Sequence, residues 1–169
     1  MKTRILLIGI FLLAASAGAS AQKSSASAYV RSFYDFHRQQ LNVFEPAEVR
    51  ARRKWFSPVL NSLFQNELRR QAAYLKTHPD DKPFFGDGFP FQPLDECDMG
   101  SNSHEVGEAR MVKGKSVVDV SFYSPDGCGR RLEGKYSVEL IRSGRSWLIN
   151  DWIYEDGSRL TTDLRRKRY

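Results

Sequence analysis

The sequence predicts an α+β domain, with N-terminal helices packed on a curved antiparallel β-meander. In the first half of the chain, apolar residues recur three and four positions apart, which is the spacing of one helix face. From Val106 onward they recur at every second position, which is typical of half-buried strands. Short turns join these alternating segments, and such short connections favour antiparallel neighbours.

Residues 1–21 have the features of an export signal that is removed from the working protein. A short basic start precedes an uncharged apolar run over 5–15, and residues 19–21 are a cleavage motif of small residues. The apolar run is about half the roughly 20 residues that a spanning helix needs, so the protein is not expected to span a membrane. We predict cleavage before Gln22 and a single domain over 22–169.

Positive charge is concentrated at the C-terminus. The full chain carries a formal net charge of +6, and removal of Lys2 and Arg4 lowers it to +4. Four basic residues stand together at 165–168, so the rest of the mature chain is near neutral. This distribution argues against a nucleic-acid-binding protein. The basic tail is either a solvated chain end or a contact for anionic lipid, lipopolysaccharide or an acidic partner.

Three helices are expected before residue 80. The second covers about 46–54, because a proline with acidic neighbours suits a helix N-terminus. The third covers about 58–76, where a serine cap precedes Pro58 and Pro79 ends the helix. The first covers about 26–42, where five residues share one face: Val30, Phe33, Tyr34, His37 and Leu41.

Residues 79–104 carry no long periodic pattern and are predicted to form a loop. Prolines and glycines alternate there with aromatic residues, and rings of this size need burial, which argues against disorder. The loop is either pinned over the core or serves as the lid of a cavity. At least one of four rings is expected to stay accessible: Phe84, Phe85, Phe89 and Phe91.

Four strands are expected after this loop. The first covers 106–112, the second carries Val118, Val120 and Phe122 on one face, and the third alternates most clearly over 132–140. Tyr136 and Trp147 are predicted to be mainly core residues. In the last strand, one face is expected to carry Trp147, Ile149, Asp151 and Ile153, and the other Leu148, Asn150, Trp152 and Tyr154.

Two cysteines remain after export, Cys97 and Cys128, and both lie among turn-forming residues. An even pair in an oxidising compartment predicts a disulfide. The bridge would close a loop of about 30 residues and stabilise the fold by roughly 3–4 kcal/mol. The alternatives are two free thiols or a metal pair, although no Cys-x-x-Cys or Cys/His spacing supports a metal.

The order of elements and two short motifs resemble the nuclear-transport-factor-like, or cystatin-like, cone fold. Residues 29–34 are similar to its first helix, and 144–149 contain the Gly-x-x-Trp-x-Ile pattern of its closing strand. Together with the export signal, they resemble the bacterial domain-of-unknown-function family 3828. The resemblance implies a sheet that curls around the helices and leaves a cone-shaped cavity. Relatives with this fold include isomerases, dehydratases, ligand-binding modules and dimerisation modules, so the fold does not select a function.

Asp151 and His37 are candidates for a catalytic pair in such a cavity. If the face of Trp147 lines the cavity, Asp151 is an inward carboxylate that could act as a general base. His37 lies on the apolar face of the first helix, close to Tyr34. The alternative is structural, because buried histidines are commonly hydrogen-bonded in the core and strand aspartates commonly bond to nearby backbone.

We predict from the sequence an exported, periplasmic, non-catalytic binding module. It would bind a small apolar ligand or an envelope protein through the cone mouth and the aromatic loop. A homodimer is compatible with the fold, and no metal or cofactor motif is present. One alternative is an isomerase or dehydratase that uses Asp151 and His37, and another is an envelope inhibitor or immunity protein. The expected ligand contacts are Tyr34, Phe89, Phe91, Trp147 and Asp151.

Overall fold

The fold is a four-stranded antiparallel sheet whose inner face is covered by the first three helices. The structure is a computed structural model and describes residues 26–93, 103–124 and 129–166. The α+β prediction is confirmed, and the strands lie in the order β1-β2-β3-β4. The helices are α1 (26–37), α2 (Pro46–Arg52), α3 (Pro58–Leu75) and α4 (Leu160–Arg165), with a 3₁₀ turn at Arg53–Trp55. The strands are β1 (Ser103–Val112), β2 (Lys115–Tyr123), β3 (Leu132–Ser143) and β4 (Ser146–Ile153).

Local capping signals place α2 and α3 where the sequence predicted them. The Ser57 hydroxyl accepts a hydrogen bond from the Leu60 backbone N–H at 3.2 Å, and Pro58 occupies the first turn of α3. Helix α1 ends at 37 rather than at 42. The backbone N–H groups of Gln39 and Gln40 donate hydrogen bonds to the carbonyls three residues earlier, those of Phe36 and His37. These shorter-range bonds tighten the last turn and end the helix.

One face of the sheet packs on the helices and forms the core. Alternation along β2 and β3 places the even-numbered residues on this inner face, as predicted. Tyr136 is half-buried against the core, and Trp147 is buried. The fully buried inner positions are Val118, Val120, Val138, Leu140, Ile149 and Trp152, which pack with Val30, Phe33, Leu60 and Phe64 of the helices.

A β-bulge in β4 changes which residues face the core. Glu139 is paired with Asp151, but the next residue, Leu140, is paired with Ile149, so Asn150 is an extra residue in the strand. The bulge reverses the alternation beyond Asn150. The predicted sharing of a face by Ile149 and Asp151 is therefore wrong: Asp151 lies on the outer face, and Trp152 takes the inner position.

The segment from 79 to 93 is pinned over the core by its aromatic rings. Phe85, Phe89 and Phe91 are buried, whereas Phe84 is 41% exposed, so one ring stays accessible as expected. Phe91 stacks on Trp152 with ring centroids 4.3 Å apart, and Phe89 stacks on Phe91 at 5.0 Å. These rings fill the space between the helices and the sheet.

Helix α4 was not predicted and closes one end of the outer face. Leu160 and Leu164 insert into the core cluster, and Arg70 of α3 donates hydrogen bonds to the carbonyls of Leu164 and Arg166. The helix therefore fixes the start of the predicted basic tail, of which Arg165 and Arg166 are exposed. Among the residues that the structure describes, no helix has both the length and the apolar character of a membrane span.

Candidate functional site

A groove on the outer face of the sheet is the candidate functional site. One row of paired residues crosses all four strands and carries Arg110, Val117, Glu139 and Asp151 on the outer face. Helix α4 and the start of α3 form the opposite wall, and the volume of this open groove is about 730 Å³. The polar and charged lining residues are Arg110, Lys113, Lys115, Ser137, Glu139, Asn150, Asp151, Arg159, Thr161, Thr162 and Arg165.

Glu139 is a buried residue at the centre of an ion network in this groove. Its Oε1 atom accepts hydrogen bonds from Lys115 at 2.7 Å and from Asn150 at 2.9 Å, and its Oε2 atom accepts one from Arg159 at 2.6 Å. Burial raises the pKa of Glu139, but these three hydrogen bonds and the positive charge of Arg159 outweigh burial and hold it below its ordinary value. The carboxylate is therefore ionised and held in place.

Asp151 uses both of its carboxylate oxygens to join β4 to α4. Oδ1 accepts hydrogen bonds from the backbone N–H groups of Trp152 and Thr161, at 3.0 and 2.9 Å. Oδ2 accepts from the Arg159 guanidinium and the Thr161 hydroxyl, both at 2.8 Å. The carboxylate thus lies at the N-terminus of α4, where a negative charge stabilises the helix. Four donors leave it poorly placed to accept a substrate proton.

His37 lies on the other side of the sheet, in the core. Its Nδ1 atom accepts hydrogen bonds from Nε and Nη2 of Arg52, at 3.1 and 3.0 Å. Arg52 is fully buried, and its guanidinium lies 4.3 Å from the Phe89 ring centroid. Burial and the charges of Arg52 and His104 lower the pKa of His37 to about 3, so the imidazole is neutral. His37 and Asp151 therefore lie on opposite sides of the sheet and do not form the predicted catalytic pair.

The remaining predicted ligand contacts lie in the packed interior. The Tyr34 hydroxyl donates to the carbonyl of Phe91 at 2.8 Å and accepts from the Trp152 indole N–H at 3.0 Å. Phe89 and Phe91 pack around this pair. Trp147 is 4% exposed and lies under the guanidinium of Arg142, 3.9 Å from the ring centroid. The structure thus brings Tyr34, Phe89 and Phe91 together, while Asp151 lies on the opposite face.

Sequence reasoning did not identify Glu139, Lys115 or Arg159 as site residues. The alternation of residues along β3 places Glu139 on the polar face of the strand, and this is the one sequence signal that could have pointed to it. No sequence pattern linked it to Arg159, because their contact depends on the position of α4. Cys97 and Cys128 lie outside the described residues, so the predicted disulfide stays a prediction.

A second groove, of about 990 Å³, lies between α2 and α3 beside β4. Among the residues that the structure describes, its lining includes Arg50, Arg53 and Lys54 and no acidic side chain. In the part of the chain that the structure describes, no cluster of three or more histidine, cysteine or acidic residues could hold a metal ion.

Comparisons with protein-family models, curated proteins and solved structures found no significant match to this chain.

Proposed function

We propose that this protein is an exported, non-catalytic binding module that holds its ligand in the groove on the outer face of the sheet. The observation that carries the proposal is the contrast between the two faces. Aromatic rings fill the inner side, whereas the outer side keeps an open groove of about 730 Å³. Small-ligand sites are commonly about 300–1,000 Å³ in volume.

The contrast also changes the expected ligand. A small apolar ligand would need the interior space that Phe89 and Phe91 occupy, and both rings are nearly inaccessible to solvent. The outer groove is lined mainly by polar and charged side chains. A polar small molecule or a polar segment of an envelope protein is therefore the better-supported occupant.

Binding is favoured over catalysis by the state of the two candidate catalytic residues. Asp151 is engaged by four donors, and His37 is buried and neutral on the opposite side of the sheet. A general acid–base pair needs groups that converge on one substrate position. Asp151 and His37 do not converge.

The proposal includes a cone-type, cystatin-like fold and export to the bacterial periplasm. The cone-type fold is supported by the order of elements, with helices first and an antiparallel meander after them.

Export is supported by the composition of residues 1–21. The intact mass of protein isolated from the periplasm tests export, and the expected mass is that of a chain beginning at Gln22. A mass that includes residues 1–21 would contradict it.

A fragment titration followed by NMR tests the groove. Small polar fragments, charged and uncharged, are added to the protein while backbone amide shifts are recorded. The largest shifts are expected at Lys115, Asn150 and Thr161. Shifts at Phe91 and Trp152 instead would indicate an interior site and contradict the proposal, as would the absence of shifts along the groove.

A blocked variant makes this test specific. Thr162 is exposed and lines the groove, so Thr162→Trp should obstruct it and abolish the fragment-induced shifts. Ala73→Trp places the same side chain on an exposed position of α3 outside the groove and is the matched control. Equal fragment binding by both variants would place the ligand site elsewhere on the protein and contradict the proposal.

A further inference from the structure

We infer that the occupant of the outer groove is a small multivalent oxyanion, such as a phosphate ester or a polycarboxylate. This inference rests on the proposed function of the groove and names its ligand class. Of the described residues, five basic and two acidic ones line the groove. One of the five, Arg165, belongs to the basic tail, and the mature domain outside that tail is near neutral, so positive side chains are over-represented in this groove.

The two acidic residues are already committed to protein donors. Glu139 binds Lys115, Asn150 and Arg159, and Asp151 binds Arg159 and Thr161 together with the Trp152 backbone. Their oxygens are therefore directed at the walls of the groove. A ligand in the groove meets the remaining N–H donors rather than free carboxylate oxygens.

Arg159 is positioned to present donors to a ligand. Its Nε and Nη2 atoms bind the two carboxylates, which leaves Nη1 for another acceptor. The side chain is 36% exposed, so it is held at its inner edge and accessible at its outer edge. A guanidinium fixed in this way has little conformational freedom to lose when it binds an oxyanion.

The other basic residues approach from different elements. Arg110 comes from β1, Lys113 from the β1–β2 turn, Lys115 from β2 and Arg165 from α4. Arg110 is paired with Asp119 at 2.9 Å, whereas Lys113 and Arg165 are exposed at the groove. Donors that converge from several directions suit an anion with more than one charged group. The groove's volume suits a small molecule better than an extended surface.

The test is calorimetric titration of the protein with citrate and with inorganic phosphate, and with glycerol as an uncharged probe. Citrate or phosphate is expected to bind, and glycerol is not. Arg165→Ala and Lys113→Ala should each weaken citrate binding about tenfold, the effect of losing one charge-assisted hydrogen bond. Both residues are exposed, so the fold should tolerate either change.

The second groove supplies the matched control. Arg53 is an exposed basic residue that lines only that groove, so Arg53→Ala removes the same charge without changing the outer groove. It should leave citrate binding unchanged. Equal losses in Arg53→Ala and Arg165→Ala would indicate a response to net charge alone and would overturn the inference.

Two further outcomes separate this inference from the proposed function. If glycerol binds the groove as well as citrate does, the groove is a ligand site without anion selectivity, and the inference alone fails. Vesicles of phosphatidylglycerol test a lipid headgroup as the source of the anion. Vesicle binding that depends on Arg165, without binding of citrate or phosphate, would overturn the inference in favour of a membrane contact.

Discussion

Asp151 accepts a hydrogen bond from the backbone N–H of Thr161 at 2.9 Å, so the last strand supplies the N-terminal cap of the last helix. Helix α4 has no side-chain cap of its own, because its N-cap residue, Arg159, makes no such bond. One carboxylate therefore fixes the helix and orients Arg159 in the groove.

The first prediction is that Asp151→Asn destabilises the fold. The amide can keep the bonds at Oδ1, but its NH₂ group would face the donors Arg159 and Thr161. Loss of hydrogen bonds to a buried charged group should lower the free energy of unfolding by about 2–3 kcal/mol. Urea unfolding measures this. Asp80→Asn, at an exposed position, is the control, and equal stability of the two variants would contradict the assigned role.

The second prediction separates packed from accessible rings in the loop. Phe91→Ala removes a fully buried ring and should cost about 3–5 kcal/mol of stability. Phe84→Ala removes a ring that is 41% exposed and should change stability by less than about 1 kcal/mol. Thermal or urea unfolding of both variants provides the comparison. Similar losses in the two variants would show that the loop does not pack as described.

The third prediction concerns the hydroxyl of Tyr34. Tyr34→Phe removes a buried group that both donates to Phe91 and accepts from Trp152. The orphaned carbonyl and indole N–H should reduce stability by about 1–3 kcal/mol. Chemical unfolding measures the change. Tyr123→Phe removes a hydroxyl from a half-exposed tyrosine and should have a smaller effect on stability. A larger loss in Tyr123→Phe than in Tyr34→Phe would contradict the hydrogen bonds assigned to Tyr34.

The fourth prediction is a loss of stability at acidic pH that depends on His37. Its pKa is about 3 in the folded protein, so below about pH 6.5 the unfolded chain binds a proton that the folded chain does not. The contribution of His37 to stability is therefore present at neutral pH and falls as the pH falls. Between pH 7 and 5 the loss should be about 2 kcal/mol.

The His37→Asn variant isolates this effect, because its amide oxygen can accept the bond from Arg52 but does not titrate. The pH dependence of its unfolding free energy should be flatter than that of the unmodified protein over pH 7 to 5. Parallel curves for the two proteins would show that His37 is not the titrating group.

The fifth prediction is the disulfide between Cys97 and Cys128. Thiol titration of the exported protein, denatured without reductant, should detect no free thiol. After reduction the protein should unfold more readily, because the unfolded chain is no longer constrained by the crosslink. Two titratable thiols before reduction would rule out the bridge.

Elements with local signals were predictable from the sequence. Ser57 and Pro58, which are adjacent in the sequence, define the start of α3. The alternation of residue types along β3 identifies the inner face of that strand without knowledge of the strands beside it. The burial of Trp147 follows from the alternation at the start of β4, before the bulge. These features depend on the backbone geometry of a single element, which adjacent residue types determine.

Features that depend on distant contacts were not predictable. The six residues of α4 are too few for a periodic pattern, and the helix is held by Asp151 and Arg70 from other elements. The end of α1 before Leu41 likewise coincides with a hydrogen bond that the Arg52 side chain donates to the Leu41 carbonyl.

The sequence by itself determined the fold class, the predicted export signal and the residues that can form a core, because periodicity and composition act locally. The tertiary structure alone decided where Asp151 points. One bulged residue, Asn150, reverses the strand's alternation, and only pairing with β3 reveals it. That reversal moves the carboxylate from the interior to the outer groove, since side chains on a strand alternate between faces and a one-residue shift exchanges them.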